Sequence, residues 1–305
     1  MCILPSVIKS SVLFLLFLIP VGVLQAADND LAEKYFEIKN KTISLLEHKP
    51  IHVRSHIADN RLQADIFAIK QQTVHQLFEV LSVAENWCQF VTLHLNIKAC
   101  SYQSDKNDIL TFYAGRKFYQ PAENAFALQY QFQIKEKTKD YFKLLLSADD
   151  GPFSTSDYRI SVEVLAVENE SVIHFSLAYN SSFSSRMGTS VYLSTIGSDK
   201  KGFSQQINEL GQSEFIQGTE GIIERNVMRY FLALKVFLEQ DTADPTSTQK
   251  LASDWYDESE QYSLQLHELD KKDYMANKAR EFIQQDVMQN RINTGQSVFV
   301  ESEAD

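Results

Sequence analysis

Residues 218–240, GTEGIIERNVMRYFLALKVFLEQ, decide the fold. The stretch holds no Pro, and no Gly beyond Gly221. Ile223, Val227, Phe231, Leu234 and Leu238 are spaced four, four, three and four residues apart, which puts them on one stripe of a helix. Tyr230 and Phe237 widen that stripe. Burying five such side chains is worth roughly 8–15 kcal/mol, at ~1.5–3 each, as an upper bound. A helix of this kind must lie on a large apolar surface.

That surface is upstream, where the apolar period changes to two. Ile51, Val53, Ser55 and Ile57 alternate, Asp59-Asn60 turn the chain, and Leu62, Ala64 and Ile66 alternate again. Thr73 is placed to cap a short helix containing Val74, Leu77, Phe78 and Leu81. A second short helix over 84–91 carries Trp87 and Cys88. Further strands are expected at 96–102, 109–119, 126–134, 141–147, 158–164 and 173–179. The turns between consecutive strands are short, which requires antiparallel pairing. The expected class is therefore α+β: a curved antiparallel sheet of about six to seven strands gripping a long C-terminal helix, followed by a helical tail.

Between the last strand and the long helix, 187–196 reads as a short helix and 202–216 as a hairpin. YLSTIGSDKKGF, residues 192–203, has the composition of an anion-binding loop and equally that of an ordinary turn. Beyond residue 240, DTADPTSTQ is a polar linker. Two charged helical segments come next, 251–267 and 272–292, with Trp255, Tyr256, Tyr262, Leu266, Tyr274 and Phe282 as apolar anchors. The last dozen residues read as disordered.

Asp and Glu number 40 against 29 Lys and Arg, a net charge of −11. This balance argues against nucleic acid as a partner, since phosphate contacts need clustered cations. Lys9, the apolar run over 11–24 and the small residue Ala26 read as a secretory signal peptide cleaved after Ala26; an uncleaved anchor is the alternative. The expected location is periplasmic or secreted, with no stable membrane span after cleavage. Cleavage removes Cys2 and leaves Cys88 and Cys100. In an exported protein such a pair is expected as a disulfide, with free buried thiols as the alternative. No metal site is expected.

The order of elements resembles the START-like, helix-grip superfamily. The residues carrying the resemblance are Leu62-Gln63-Ala64-Asp65-Ile66-Phe67 running into Thr73-Val74-His75-Gln76-Leu77-Phe78, then Trp87, then the helix over 222–238. The resemblance implies a sheet curled around the C-terminal helix, with a hydrophobic cavity between them. It divides the chain into a signal peptide (1–26), an N-terminal helix (27–50) opened by an Asp30/Glu33 capping box, a helix-grip domain (51–240) and a charged tail (241–305). Trp87-Cys88, Leu93-His94-Leu95-Asn96-Ile97-Lys98, Gly115-Arg116-Lys117, Asp150-Gly151-Pro152 and Glu224-Arg225-Asn226-Val227-Met228-Arg229-Tyr230 are similar to sequence boxes of exported bacterial proteins of unassigned function. Those boxes supply no catalytic residue.

The sequence contains no G-x-S-x-G, H-E-x-x-H, Walker A or G-x-G-x-x-G motif, and no cofactor is expected. His52 and His56 lie in a strand pattern, so their spacing of four does not make a helical metal pair. His94, Asn96 and Lys98 share one side of an extended segment. Arg116 and Arg159 are isolated cations in otherwise alternating strands. A cation facing inward needs a partner such as Glu163 or Glu224, or an anionic ligand. Glu224, Arg225, Asn226 and Arg229 read either as ligand contacts or as a polar network where the insertion docks. The candidate ligand-binding residues are His94, Asn96, Arg116, Tyr130, Arg159, Asn226, Arg229 and Tyr230. The expected function is binding of a hydrophobic small molecule or lipid. The alternatives are a cyclase- or hydrolase-type enzyme using His94, Glu163 or Tyr130 as acid or base, and a partner-binding protein acting through 251–292.

Overall fold

The structure is a computed structural model and describes residues 22–43, 46, 49–103, 108–182, 200–240 and 248–299, with side chains from residue 30 onward. The strand hairpin is β1 (Ile51–Ala58) and β2 (Arg61–Lys70), turned at Asp59, whose φ is 52°. Helices α2 (Val74–Leu81) and α3 (Ala84–Val91) come next, and Thr73 and Gln76 close α2 with a reciprocal capping box. Then come β3 (Ile97–Gln103), β4 (Ile109–Ala114), β5 (Phe126–Lys137), β6 (Tyr141–Asp150), β7 (Ser156–Val167) and β8 (Glu170–Asn180). All pair antiparallel in one eight-stranded sheet of order β1-β2-β8-β7-β6-β5-β4-β3. The hairpin joins the sheet through β2 and β8, so β1 and β3 form its two edges.

Helix α4 (Gly218–Leu238) lies on β1, β2, β8 and α3. Ile223, Val227, Phe231 and Leu234 are buried on that contact, and Leu238 is half-buried. Met228, Leu232 and Ala233, on other sides of the helix, are fully buried as well. The helix is therefore enclosed on most of its circumference, more than its single stripe suggests. The sequence expectation of the sheet and its helix holds, with eight strands where six to seven were expected.

Several boundaries differ. α1 (Gly22–Lys39) begins before Asp30, which lies inside the helix and does not cap it. It ends at Lys39, eleven residues before the expected end at 50. Thr42 N–H bonds Glu37 O and Lys41 N–H bonds Ile38 O, with Lys41 at φ 55°. This is a Schellman closure whose left-handed residue is a lysine, so the usual Gly signal is missing. Leu31, Tyr35 and Ile38 of α1 pack on Phe67, Tyr141, Leu165 and Val172, on the sheet face opposite α4. β4 stops at Ala114, five residues short of the expected end. The insertion hairpin is present as β9 (Gln205–Ile207) and β10 (Ser213–Phe215). The helix expected at 187–196, residues 192–199 of the loop 192–203, and residues 1–21 of the expected signal peptide lie outside the described residues.

The tail forms α5 (Thr248–Glu260), α6 (Ser263–Leu266) and α7 (Lys271–Asn293). Its anchors Trp255, Tyr262, Leu266, Tyr274 and Phe282 are buried in the same core as the sheet and α4, and Tyr256 packs against it. The tail thus extends the core. Within the stretch expected to be disordered, residues 294–299 are described, and Phe299 meets Tyr113 edge-on at 5.6 Å. Cys88 and Cys100 are joined by a disulfide that ties α3 to β3. No helix among the described residues is long and apolar enough to cross a membrane.

Candidate functional site

α4 covers one half of the inner sheet face. Between its first half and strands β4, β5, β7 and β8 a cavity of about 590 Å³ remains. Strand alternation builds its wall. Phe112 and Leu128 come from β4 and β5, Leu177 from β8, and Tyr130, Tyr158 and Tyr179 are inward residues of β5, β7 and β8. Asn226 and Tyr230, one helical turn apart on α4, close the opposite wall.

Six of the eight residues expected from sequence line this cavity: His94, Asn96, Arg116, Tyr130, Asn226 and Tyr230. Arg159 and Arg229 do not. Arg159 faces the outside of the sheet, opposite in parity to Ile160, and pairs with Asp157 at 2.7 Å. Arg229 is buried under the tail, where its Nη2 bonds Glu268 Oε1 at 3.0 Å and Leu266 O at 3.3 Å. Glu268 also receives Lys117 at 2.8 Å and Lys200 at 3.1 Å.

Arg116 is not an inward strand residue. It lies just past the end of β4, is exposed at the rim, and sits 5.7 Å from the Phe118 ring. Neither Glu163 nor Glu224 reaches it. Glu163 is on the outer sheet face, where it accepts from Tyr141 Oη at 2.7 Å and pairs with Lys143 at 3.1 Å. This also removes Glu163 as a cavity acid or base. Glu224 is fully buried and accepts from Ser55 Oγ, the backbone N–H groups of Phe203 and Ser204, and Ser204 Oγ. It holds the insertion to α4. Gly202 and Gly221 meet there so closely that a Cβ on Gly202 would lie 2.6 Å from Glu224 Oε2.

His94 lies beyond α3 and is 2% exposed. Its Nδ1 accepts from the Asn96 backbone N–H at 3.0 Å, which assigns the ring proton to Nε2. That Nε2 is buried and has no partner among the described residues. Burial, and then the charges of Arg229, Lys278, Lys98 and Lys117, hold the imidazole pKa well below its ordinary value, so the ring is neutral. The ring stacks on Tyr230 at 4.5 Å. Asn96 fixes the far end of the turn, its Nδ2 donating to Gly115 O at 2.8 Å. Lys98, expected from sequence as a companion of His94 and Asn96, instead lies under α7 with Glu281 at 2.8 Å.

Tyr158 and Tyr179 are site residues that the sequence does not single out. Their rings stack at 4.9 Å, and the Tyr158 hydroxyl lies 2.8 Å from Thr155 Oγ1. The available signal is a tyrosine at an inward position near the end of each strand, where its neighbours of the same parity are aliphatic. Burial raises the pKa of Tyr130, Tyr158, Tyr179 and Tyr230, and neighbouring phenols add to this for Tyr130, Tyr179 and Tyr230. All four keep their protons. Phe153 stands at the mouth, 86% exposed and at φ 57°. Among the described residues no group of three or more His, Cys, Asp or Glu side chains is placed to hold a metal ion.

No family model matches the sequence, and no curated protein matches it. Solved structures similar to the chain include a STAR-related lipid transfer protein fragment from Xanthomonas axonopodis, at 10% identity and TM-score 0.34, covering 48% of this chain and 88% of that one. A truncated norcoclaurine synthase from Thalictrum flavum matches at 14% identity and TM-score 0.28, over 42% and 74% of the two chains. Major latex-like protein 151 from Panax ginseng matches at 10% identity and TM-score 0.27, over 45% and 94%. The strand order, the two short helices at one end and the long helix held on the inner face make this a START-like helix-grip fold.

Proposed function

We propose that this chain is an exported protein, periplasmic or secreted, that binds a hydrophobic small molecule or lipid between the sheet and α4. The observation that carries the reading is the cavity of about 590 Å³, walled by Phe112, Leu128 and Leu177 with a few polar groups at set positions. Its size lies within the ~300–1,000 Å³ usual for small-molecule sites, which are also mostly apolar. The geometry favours binding over an acid–base enzyme. The lone pair of His94 is taken by the Asn96 N–H, so the ring offers a proton and no base. The Tyr130 phenol is pushed away from ionisation by burial.

Native mass spectrometry of the purified full chain should show a co-purified apolar molecule. Leu177→Trp, which fills the cavity from β8, should displace it without unfolding the protein. A chain that carries no such molecule, and whose tryptophan variant binds an added apolar fluorophore as well as the parent does, would overturn the reading.

A further inference from the structure

The polar groups of the cavity share one character. They are a neutral imidazole presenting N–H, protonated phenols, and side-chain amides, with one guanidinium at the rim. No carboxylate side chain is among the described lining residues, although the chain carries 40 acidic residues and a net charge of −11. The cations bear on the same end. Lys98 and Lys278 lie behind His94, and Lys278 donates to the His94 carbonyl at 3.0 Å. Two lysines share the single carboxylate of Glu281; burial brings Lys278 down to about 8, and below that pH the cluster carries a surplus positive charge. At the mouth, Arg116 makes no ion pair among the described residues. A buried N–H without an acceptor is costly, and a ligand oxygen would satisfy it.

We propose that the ligand is an organic anion with an apolar body, a carboxylate amphiphile, whose acidic head accepts a hydrogen bond from His94 Nε2. The proposal rests on the binding reading above and names the chemistry of its ligand. The positive surplus behind His94 stabilises the head without a direct ion pair. The Phe and Leu wall takes the body, and Arg116 draws the anion towards the mouth. A neutral or cationic amphiphile of the same length satisfies the wall alone.

The test is a calorimetric titration of the full chain with myristate, methyl myristate, tetradecanol and tetradecylamine below their aggregation limits. Myristate should bind at least tenfold more tightly than the ester or the alcohol, and the amine most weakly. Arg116→Gln is exposed and should fold normally; it should weaken myristate severalfold and leave tetradecanol unchanged. His94→Phe should abolish the preference for the acid while keeping alcohol binding. If its fold is disturbed, the nitrogen chemical shifts of His94 in the parent replace it, and Nε2 should move on adding myristate but not tetradecanol. Equal binding of acid, ester and alcohol would overturn the anion inference and leave the cavity reading standing. Binding of none of them, with no co-purified molecule, would overturn both.

Discussion

His174 shows how much one side chain on the outer sheet face can do. Register places it opposite Phe67 on β2 and Glu163 on β7, and its ring stacks on Phe67 at 4.5 Å. Nε2 lies 2.9 Å from Asp65 and Nδ1 lies 3.5 Å from Glu163. Burial pulls the imidazole pKa down, but the hydrogen bonds and charges of both carboxylates outweigh it, and the net shift is upward. Burial raises Asp65 and Glu163, and their partners, His174 chief among them, outweigh it and hold both at about 2. The raised histidine contributes stability fully below its unfolded value, near 6.5, and loses it as pH climbs through the folded value. The carboxylates contribute above about 4 and lose it as pH falls towards 2. Stability from this triad should therefore peak between about pH 4.5 and 6.5. His174→Asn should cost ~1.5–3 kcal/mol at pH 5.5 and clearly less at pH 9. Urea titrations of parent and variant across that range check it, and a pH-independent difference would refute the charged histidine. Parity makes this face legible, because Glu163 and His174 alternate with Val162, Val164, Ile173 and Phe175. A pairing of Glu163 with Arg116 fails for the same reason: one points outward, and the other is beyond the strand.

Among the elements, α7 is the one whose role could not be read from its sequence. Tyr274 and Phe282 stand out as anchors, but nothing in the sequence assigns a contact to the polar face around them. The structure turns that face inward. Gln285 Oε1 accepts from the Cys100 backbone N–H at 2.7 Å. Gln289 accepts from Tyr102 N–H at 2.9 Å and donates to Tyr102 O at 3.0 Å. β3 is the last strand of the sheet, and these glutamines satisfy backbone groups that a ninth strand would otherwise pair. A helix docked on a sheet edge must offer donors and acceptors, so hydrophobic periodicity cannot reveal it. By contrast α2, α3 and α4 dock on apolar surfaces, and their spacing reports them directly. The same logic explains the buried trio, in which Glu281 bridges Lys98 and Lys278 at 2.8 Å each, with all three at most 2% exposed. Glu281→Leu strands two cations and should cost ~3–5 kcal/mol. Replacing all three together, Lys98→Met, Lys278→Met and Glu281→Leu, should restore most of that stability. Thermal denaturation of the single and triple variants decides it. If both lose the same amount, the trio does more than neutralise itself.

At the scale of the whole molecule the question is where the folding unit ends. Composition places a boundary at residue 241, because DTADPTSTQ is polar and the segments beyond it are charged. The core does not respect that boundary. Trp255 is 1% exposed and its Nε1–H donates to Arg229 O on α4 at 3.0 Å. Tyr274 is buried against Trp255 at 5.2 Å and its hydroxyl donates to Leu93 O at 2.8 Å, at the turn that carries His94. Lys278 holds the carbonyls of His94 and Ile97 at 3.0 and 2.9 Å. The tail therefore supports the back of the cavity wall as well as the edge of the sheet. A chain ending at residue 240 would expose the outer side of α4 and the backbone of β3, and would leave Lys98 without Glu281. Each of those losses is worth on the order of 2–4 kcal/mol, against a total stability of ~5–15 kcal/mol for a domain. Such a chain should aggregate or lose fixed tertiary packing, seen as loss of near-ultraviolet circular dichroism with strand signal retained. The full chain should unfold in a single transition, with amides of β3 and α4 exchanging at the global rate. A truncated chain with the parental midpoint and unchanged exchange in β3 would make the tail an appendage. The turn at His94 would then owe its geometry to α3 and Asn96 alone.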